Sequence, residues 1–123
     1  MAKILIADDD VILTEMLRFR LDGAGHEIVT ADDGLEALSK AESENPDLII
    51  LDSMMPVIAG PEVLARLKAD PNTAKIPVVM LTTRDGENDI VSALRGGASE
   101  YITKPFIPQE LMVRIEKLLL AAP

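Results

Sequence analysis

The sequence ILIADDD, residues 4–10, places four apolar residues directly before three consecutive aspartates. A short apolar run of this kind is typical of a buried strand. Two carboxylates about 4 Å apart repel each other by about 4 kcal/mol where the effective dielectric constant is near 20. The stretch therefore predicts a central strand whose carboxyl end needs protons or cations nearby.

The rest of the chain alternates between strand patterns and helix patterns. After KILIA (3–7), the strand-like runs are HEIVT (26–30), DLIILD (47–52), IPVVMLT (76–82) and SEYIT (99–103). Helical periodicity fills the intervals, and glycines and prolines mark the joints. Three of the runs are almost wholly apolar, as in parallel strands covered on both faces, whereas HEIVT is typical of an edge. We predict an α/β fold: a flavodoxin-like (βα)5 doubly wound sheet of five parallel strands in the order 2-1-3-4-5.

Composition and charge narrow the possible functions. The 123 residues are predicted to form a single domain, 1–123, with a formal net charge of −9 and no cysteine. This charge opposes direct binding to nucleic acid or to an anionic membrane, so we expect neither partner. No apolar run approaches the roughly 18 residues that cross a bilayer, and no signal peptide is evident. A cytoplasmic location is therefore expected.

Apolar residues in the first and last predicted helices fall on more than one face. The residues expected to meet the sheet are Leu13, Leu17, Leu21 and Ala24 in the first helix and Leu111, Met112, Ile115, Leu118 and Leu119 in the last. Ile12, Met16 and Phe19 form a second stripe, and Val113 and Leu120 also point elsewhere. Either a wide buried face or an exposed ridge for a partner explains such stripes.

Polar side chains lie at the carboxyl ends of four of the predicted strands. They are Asp8, Asp9 and Asp10 at the first, Asp52 at the third, Thr82 and Thr83 at the fourth, and Thr103 and Lys104 at the fifth. Parallel strands bring these ends to one rim, where ligands of such sheets bind. Oxygen donors without histidine or cysteine select a hard cation, and Mg2+ suits partial filling by water. The combination predicts phosphoryl chemistry with a carboxylate nucleophile. Helix capping is the other explanation, and we expect it for Asp10.

The motifs ILIADDD, PDLIILDSMMP, VVMLTTR and YITKPF, in this order, resemble the receiver domain of two-component response regulators. The resemblance covers essentially the whole chain and implies a role for each matching residue. Asp52 matches the phospho-acceptor. Asp8 and Asp9 match the acidic pair that organises Mg2+, and the backbone carbonyl of Met54 matches a further metal ligand.

Three residues match the parts of the family that respond to the phosphoryl group. Thr82 matches the hydroxyl residue that turns toward it, and Lys104 matches the lysine that pairs with it. Tyr101 matches the aromatic switch, which moves with the threonine. The peptide bond between Lys104 and Pro105 is expected to be cis.

The resemblance implies a signalling switch driven by phosphorylation. A sensor histidine kinase, a phosphotransfer protein of a phosphorelay, or acetyl phosphate would phosphorylate Asp52, and the domain would catalyse this transfer and later its own dephosphorylation by hydrolysis. The surface of the fourth helix, fifth strand and fifth helix would then act on a downstream output domain or target protein. Ile12, Met16 and Phe19 are assigned to kinase docking, and Val113 and Leu120 to the output surface. A phosphorylation-linked homodimer is left open.

Several positions depart from the family pattern. Val57 stands where glycine is frequent, and Ala59 replaces an acidic residue that would cap the third helix. Val57 and the following Ile58 also add apolar surface beside the site, which suits a partner interface. Thr83 replaces a small residue, and with Met54 and Arg84 it is expected to tune dephosphorylation and lengthen the phosphorylated lifetime.

Two other readings compete with a phosphorylated switch. One is an interaction module that keeps a degenerate receiver fold without phosphorylation. The other is a flavodoxin-like enzyme or nucleotide binder, which would need a phosphate-binding glycine loop after the first strand. Aspartates occupy that place, and the GAG at 23–25 follows a helix and indicates a turn. His26, the only histidine, is expected to be an ordinary surface residue.

Overall fold

The computed structural model describes residues 2–82, 91 and 95–121. Five parallel strands form one sheet in the order β2-β1-β3-β4-β5: β1 (Lys3–Ala7), β2 (Glu27–Ala31), β3 (Leu48–Asp52), β4 (Val78–Thr82) and β5 (Glu100–Thr103). The helices of the described part are α1 (Val11–Gly23), α2 (Gly34–Glu44), α3 (Gly60–Ala69) and the last helix (Pro108–Ala121). The predicted fold and strand order are confirmed. The predicted fourth helix, between β4 and β5, falls on a segment largely outside the described residues.

Helices cover both faces of the sheet. Alternate side chains of a strand point to opposite faces, so Ile4 and Ile6 of β1 pack with α1 and the last helix. Leu5 and Ala7 of the same strand pack with α2 and α3. The inner strands β3 and β4 are buried along their whole length, whereas β2 is partly exposed, as expected for an edge. The strand ends are thus held rigidly from both sides.

Local chemistry fixes where the helices begin. The side chain of Asp10 accepts hydrogen bonds from the backbone N–H groups of Ile12 and Leu13, as predicted for the cap of α1. Asp33 caps α2 through the N–H of Glu36 at 2.8 Å. Ala59 makes no side-chain cap for α3, an omission that typically costs about 1 kcal/mol.

The two apolar stripes have different surroundings. On α1, Ile12 is 83% and Phe19 81% exposed, whereas Met16 is half-buried and packs against the core. The sheet-facing prediction holds for Leu17 and Leu21, which are fully buried. It is wrong for Ala24, which is exposed because α1 ends one residue earlier.

The last helix buries Leu111 and Ile115, and Met112, Leu118 and Leu119 pack against the same core. Val113 and Leu120 are exposed, as the angular pattern predicts. Among the described residues, no helix has both the length and the apolar content needed to span a membrane.

The prediction that His26 is a surface residue is wrong. Its side chain is buried, because the chain turns back after α1 and the His26 N–H donates to the carbonyl of Leu21. Nδ1 accepts a hydrogen bond from the Ala2 N–H at 3.1 Å, and Nε2 lies 2.9 Å from Glu116 Oε1. Both ring nitrogens have a protein partner in place of water, which is what permits an imidazole to be buried.

Candidate functional site

Three aspartates meet at the carboxyl ends of β1 and β3. These strands are neighbours, with Ala7 opposite Leu51, so the residues that follow them lie side by side. Asp8 is 2% and Asp52 5% exposed, whereas Asp9 is exposed to solvent. One carboxylate oxygen from each of the three lies within 4.8 Å of the others. The sheet thus concentrates negative charge at one point.

Lys104 brings a positive charge to this cluster from β5. Its Nζ donates hydrogen bonds to Asp8 Oδ2 at 2.9 Å and to Asp52 Oδ1 at 3.3 Å. The backbone N–H of Lys104 donates to the carbonyl of Thr82, which aligns the lysine with the end of β4. The Lys104–Pro105 peptide bond is cis, as the resemblance implies.

The other carboxylate oxygen of Asp8 is held by a backbone N–H group two residues later in the chain. Asp8 Oδ1 accepts a hydrogen bond from the Asp10 N–H at 2.9 Å, so both of its carboxylate oxygens have protein partners. Asp10 itself turns away to cap α1. Of the three consecutive aspartates, Asp8 is therefore buried, Asp9 is exposed and Asp10 caps α1.

The buried negative charge of the site is energetically unfavourable. Burial, followed by the charge of Asp8, raises the pKa of Asp52 above its ordinary value, although Lys104 and the backbone N–H of Met54 act in the opposite direction. Burial lowers the pKa of Lys104, but its hydrogen bonds and ion pairs with Asp8 and Asp52 outweigh this, and that pKa is raised. An additional cation would relieve the repulsion that remains.

The donors present suit Mg2+. The cluster offers carboxylate oxygens alone, and its ligand set within the described residues contains neither histidine nor cysteine. Such a set selects a hard cation, and the exposure of Asp9 leaves room for the water ligands that Mg2+ retains. The backbone of Met54 lies beside the cluster, since its N–H bonds to the Asp52 carboxylate.

The loop from β3 to α3 approaches the site closely. The Gly60 N–H donates to the carbonyl of Ser53, and a Cβ on Gly60 would lie 2.3 Å from the carbonyl oxygen of Asp52. No side chain fits there. Glycine at this position therefore allows α3 to begin directly against the end of β3.

Val57 has a left-handed backbone, with φ 72°. The Ile58 N–H donates to the Pro56 carbonyl at 2.9 Å, which closes a γ-turn centred on Val57. A β-branched residue in this conformation is strained by about 1–3 kcal/mol. Sequence periodicity could not reveal the strain, although the frequent glycine at this position in the resembled family pointed to it.

The other residues assigned from the sequence occupy different positions. Thr82 is buried at the end of β4, and Tyr101 on β5 is half-buried against the core, opposite Met80. Met54, two residues after Asp52, is 56% exposed. Ile12 lies on the first turn of α1, directly after the aspartates. Thr83 and Arg84 lie outside the described residues.

A comparison of the sequence with models of protein families shows which family the chain belongs to. The family model described as "Response regulator receiver domain" matches residues 4–116. The chain is a member of the response regulator receiver family. The resemblance inferred from the four motifs is thereby confirmed, and with it membership in two-component signal transduction.

Individual relatives agree with this assignment. The chain is 44% identical over 117 residues to the alkaline phosphatase synthesis transcriptional regulatory protein PhoP of Bacillus subtilis, covering 95% of this chain and 48% of that protein. It is 42% identical over 113 residues to the DNA-binding response regulator MtrA of Mycolicibacterium paratuberculosis, covering 92% and 49%. The receiver thus spans about half the length of these curated relatives.

Solved structures of receivers superpose closely on this one. The Francisella response regulator 1452 receiver domain gives a TM-score of 0.94 at 31% identity, with both chains covered completely. The chemotaxis protein CheY4 of Vibrio cholerae gives 0.89 at 35% identity, covering 96% of this chain and 98% of that one. The likeness therefore extends over the whole fold.

The expectation that excluded nucleic acid as a direct partner is wrong. Relatives matched over almost the whole receiver are named DNA-binding regulators, among them MtrA and the RpaA protein of Synechocystis. The net charge of −9 describes the receiver alone, which is about half of each relative. The charge of one half places no limit on what a second half binds.

Proposed function

We propose that this receiver is a phosphorylation-driven switch in which Asp52 accepts the phosphoryl group. The observation that carries the proposal is the setting of the buried Asp52 carboxylate, which accepts a hydrogen bond from Lys104 and lies within 4.8 Å of carboxylate oxygens of Asp8 and Asp9. A nucleophilic carboxylate needs access to phosphorus and neutralisation of the incoming charge. Lys104 supplies part of that neutralisation, and Asp8 and Asp9 would hold the Mg2+ that supplies the rest.

The chemistry requires no base in the site. A carboxylate oxygen of Asp52 attacks phosphorus, and the bond from phosphorus to the donor's imidazole nitrogen, or to the acetate oxygen of acetyl phosphate, breaks. The leaving group departs with that electron pair, and an imidazole group keeps the proton on its other nitrogen. An ionised carboxylate has no proton to lose, so the absence of histidine from the cluster is no obstacle.

Each neighbouring residue has a proposed part in this transfer. Asp8, Asp9, Asp52 and the carbonyl of Met54 would hold Mg2+, which supplies positive charge for the phosphoryl oxygens. Lys104 would move its hydrogen bond from the Asp52 carboxylate to a phosphoryl oxygen. Met54, Thr83 and Arg84 are proposed to control access of the hydrolytic water and so the phosphorylated lifetime.

The proposed response passes from Thr82 to the neighbouring strand. Thr82 ends β4 in register with Thr103, and Tyr101 lies two residues earlier on the same strand β5. A movement of Thr82 toward the phosphoryl group would therefore be felt by Tyr101 and by the surface of β5 and the last helix. Val113 and Leu120 are exposed on that helix and are proposed to belong to the output surface.

The proposed partners act upstream of the receiver, as donors of the phosphoryl group, and downstream of it, as the output. A sensor histidine kinase or phosphotransfer protein would dock on α1 through Ile12, Met16 and Phe19, with Ile12 and Phe19 the exposed members. We place the receiver, as a single domain over residues 1–123, in the cytoplasm, where acetyl phosphate occurs. The DNA-binding relatives support a transcription-regulating half as the output.

The proposal is tested by the intact mass of the protein after incubation with acetyl phosphate. We expect a gain of one phosphoryl group that requires Mg2+, that is lost in Asp52→Asn and that persists in Asp22→Asn, whose exposed carboxylate lies outside the site. No gain in the wild-type protein would favour the alternative, an interaction module that works without phosphorylation.

A further inference from the structure

Ser53 directly follows Asp52, and its backbone continues the pairing of β3 with β4 by one residue. Asp52 lies opposite Leu81 in this parallel pair. The Ser53 N–H donates a hydrogen bond to the carbonyl of Leu81 at 2.9 Å, which is the next bond of the same ladder. Ser53 therefore lies opposite Thr82, the last residue of β4.

The side chains of Ser53 and Thr82 are directed to the same face of the sheet, because side chains two positions apart on a strand share a face. Leu51, two residues before Ser53, and Met80, two residues before Thr82, both belong to the core beneath α2 and α3. Tyr101 packs against the same core and lies opposite Met80. Ser53 is thus the neighbour of Thr82 on the face that also carries Tyr101.

The hydroxyl of Ser53 is buried without a hydrogen-bond partner. Its Oγ is shielded from solvent and bonds to none of the residues that the structure describes, which are 2–82, 91 and 95–121. Within these residues it is the only buried side-chain oxygen or nitrogen in this condition. An unpaired buried donor is unfavourable, so its presence calls for a physical reason.

The backbone of Ser53 is held on both sides. Besides its N–H bond to Leu81, its carbonyl accepts a hydrogen bond from the Gly60 N–H at 3.0 Å. A Cβ on Gly60 would lie 2.7 Å from the Ser53 Cα, so the start of α3 is packed directly against this residue. The Ser53 backbone therefore stays in place, and a partner for the hydroxyl has to move toward it.

Thr82 is the neighbour that the proposed switch moves. Lys104 Nζ donates directly to Asp52 Oδ1 at 3.3 Å, so the structure shows the arrangement around the free carboxylate. In the proposed response, the Thr82 hydroxyl moves toward a phosphoryl group on Asp52, which means from the end of β4 toward the end of β3. The same movement brings this hydroxyl toward Ser53.

Resting on the proposed function, we propose that Ser53 is a positioning residue of the switch, whose hydroxyl donates to the Thr82 oxygen once Thr82 has moved. A threonine hydroxyl can donate and accept at once, so Thr82 then donates to a phosphoryl oxygen and accepts from Ser53. The Ser53 donor is unpaired around the free carboxylate and paired in the phosphorylated arrangement. This difference stabilises the phosphorylated arrangement relative to the other one, as a shift between two states requires.

The test compares side chains at position 53 that differ in the hydroxyl. Ser53→Ala removes it, and Ser53→Thr and Ser53→Val have nearly equal volumes but only the first keeps it. Beryllofluoride with Mg2+ replaces the phosphoryl group on the Asp52 carboxylate, and its binding is followed by the fluorescence of Tyr101, the only tyrosine in a chain without tryptophan. Urea denaturation without Mg2+ or beryllofluoride measures the stability of the free protein. Ser43→Ala, at an exposed serine near the end of α2, is the matched control.

We expect Ser53→Ala to weaken beryllofluoride binding about fivefold, which corresponds to the loss of one hydrogen bond of about 1 kcal/mol. The urea midpoint of the free protein should not fall, because the hydroxyl has no partner there to lose. Ser53→Thr should bind within about twofold of the wild type, whereas Ser53→Val should bind as weakly as Ser53→Ala. Ser43→Ala should bind like the wild type. Rescue by threonine but not by valine is an outcome that a role in packing does not produce.

Beryllofluoride binding of wild-type strength in Ser53→Ala overturns the inference. So does equal weakening in Ser53→Thr and Ser53→Val, which would assign the effect to volume. A lower urea midpoint in Ser53→Ala but not in Ser43→Ala also overturns it, since the hydroxyl would then have its partner around the free carboxylate. These outcomes leave the proposed function intact. If beryllofluoride does not bind the wild type and acetyl phosphate does not label it, the proposed function fails and the inference with it.

Discussion

Lys104 Nζ donates a hydrogen bond to Asp8 Oδ2 at 2.9 Å, although the two residues are 96 positions apart in the sequence. The lysine follows the edge strand β5 and the aspartate follows the central strand β1. The contact therefore reaches across the ends of β3 and β4, the strands that carry Asp52 and Thr82. One ammonium group partly neutralises the charge of the whole site.

Removing this ammonium group should destabilise the metal-free protein. Lys104→Met leaves two buried carboxylates without their cation, and we expect the free energy of unfolding to fall by about 2 kcal/mol. Mg2+ should restore part of the loss, since it supplies charge at the same place. Urea denaturation with and without MgCl2 measures both effects, with Lys75→Met, at an exposed lysine, as the control. An equal loss in both variants would contradict the ion-pair explanation.

Stability should depend on pH through Asp52. Because its pKa is raised in the folded state, the free-energy cost of ionised Asp52 is fully present above that raised value and disappears below the ordinary value of 3.8. Without Mg2+, Asp52→Asn should therefore increase the free energy of unfolding at neutral pH by about 1 kcal/mol, with the gain shrinking as pH falls. Urea denaturation of both proteins from about pH 4 to pH 8 measures this difference. A gain that grew toward acid would have the wrong sign.

Two glycines should respond oppositely to the same substitution. Gly60→Ala places a methyl group 2.3 Å from the Asp52 carbonyl oxygen, and we expect a loss of about 2 kcal/mol or more in stability. Nothing lies within 4 Å of a Cβ on Gly23, at the end of α1, so Gly23→Ala should stabilise by about 0.5 kcal/mol. Thermal denaturation of the two variants provides the comparison. Similar behaviour would mean that α3 does not begin against β3 as described.

We expect the His26 side chain to contribute more to the free energy of unfolding than the negative charge of Glu116 does. His26→Ala leaves the partly buried Ala2 N–H without its acceptor and Glu116 without its donor, for a loss of about 2 kcal/mol. Glu116→Gln keeps an oxygen that can accept from Nε2–H, so it should cost less than about 0.5 kcal/mol at neutral pH. Chemical denaturation at neutral pH distinguishes the two variants. Equal losses would show that charge, rather than the hydrogen bond, holds the imidazole.

The sequence predicts the sheet well because each strand carries its own signal. The apolar runs of β1, β3 and β4 are buried on both faces, and the last residue of each strand is the one that the pattern predicts, although the predicted runs begin one residue early for β3 and two residues early for β4. The meeting of Asp8, Asp52 and Lys104 also follows, since parallel strands must end at a common rim. Local pattern and global fold agree at these positions.

Other features depend on how distant segments approach each other, which periodicity does not record. The burial of His26 arises from the turn after α1 together with Glu116, 90 residues away. The strained turn at Val57 follows from the loop's contact with Gly34 rather than from the valine's own preference. The DNA-binding character of the relatives resides in proteins about twice the length of this chain.

The most direct test of the central claim is to locate the phosphoryl group on the chain. The protein is treated with acetyl phosphate and Mg2+, reduced with borohydride, which converts an aspartyl phosphate to homoserine, and mapped by peptide mass spectrometry. We predict homoserine at position 52 and unmodified aspartate at positions 8 and 9. Homoserine at position 8 or 9, or at none of the three positions despite a gain in mass, would contradict the assignment of Asp52 as the acceptor.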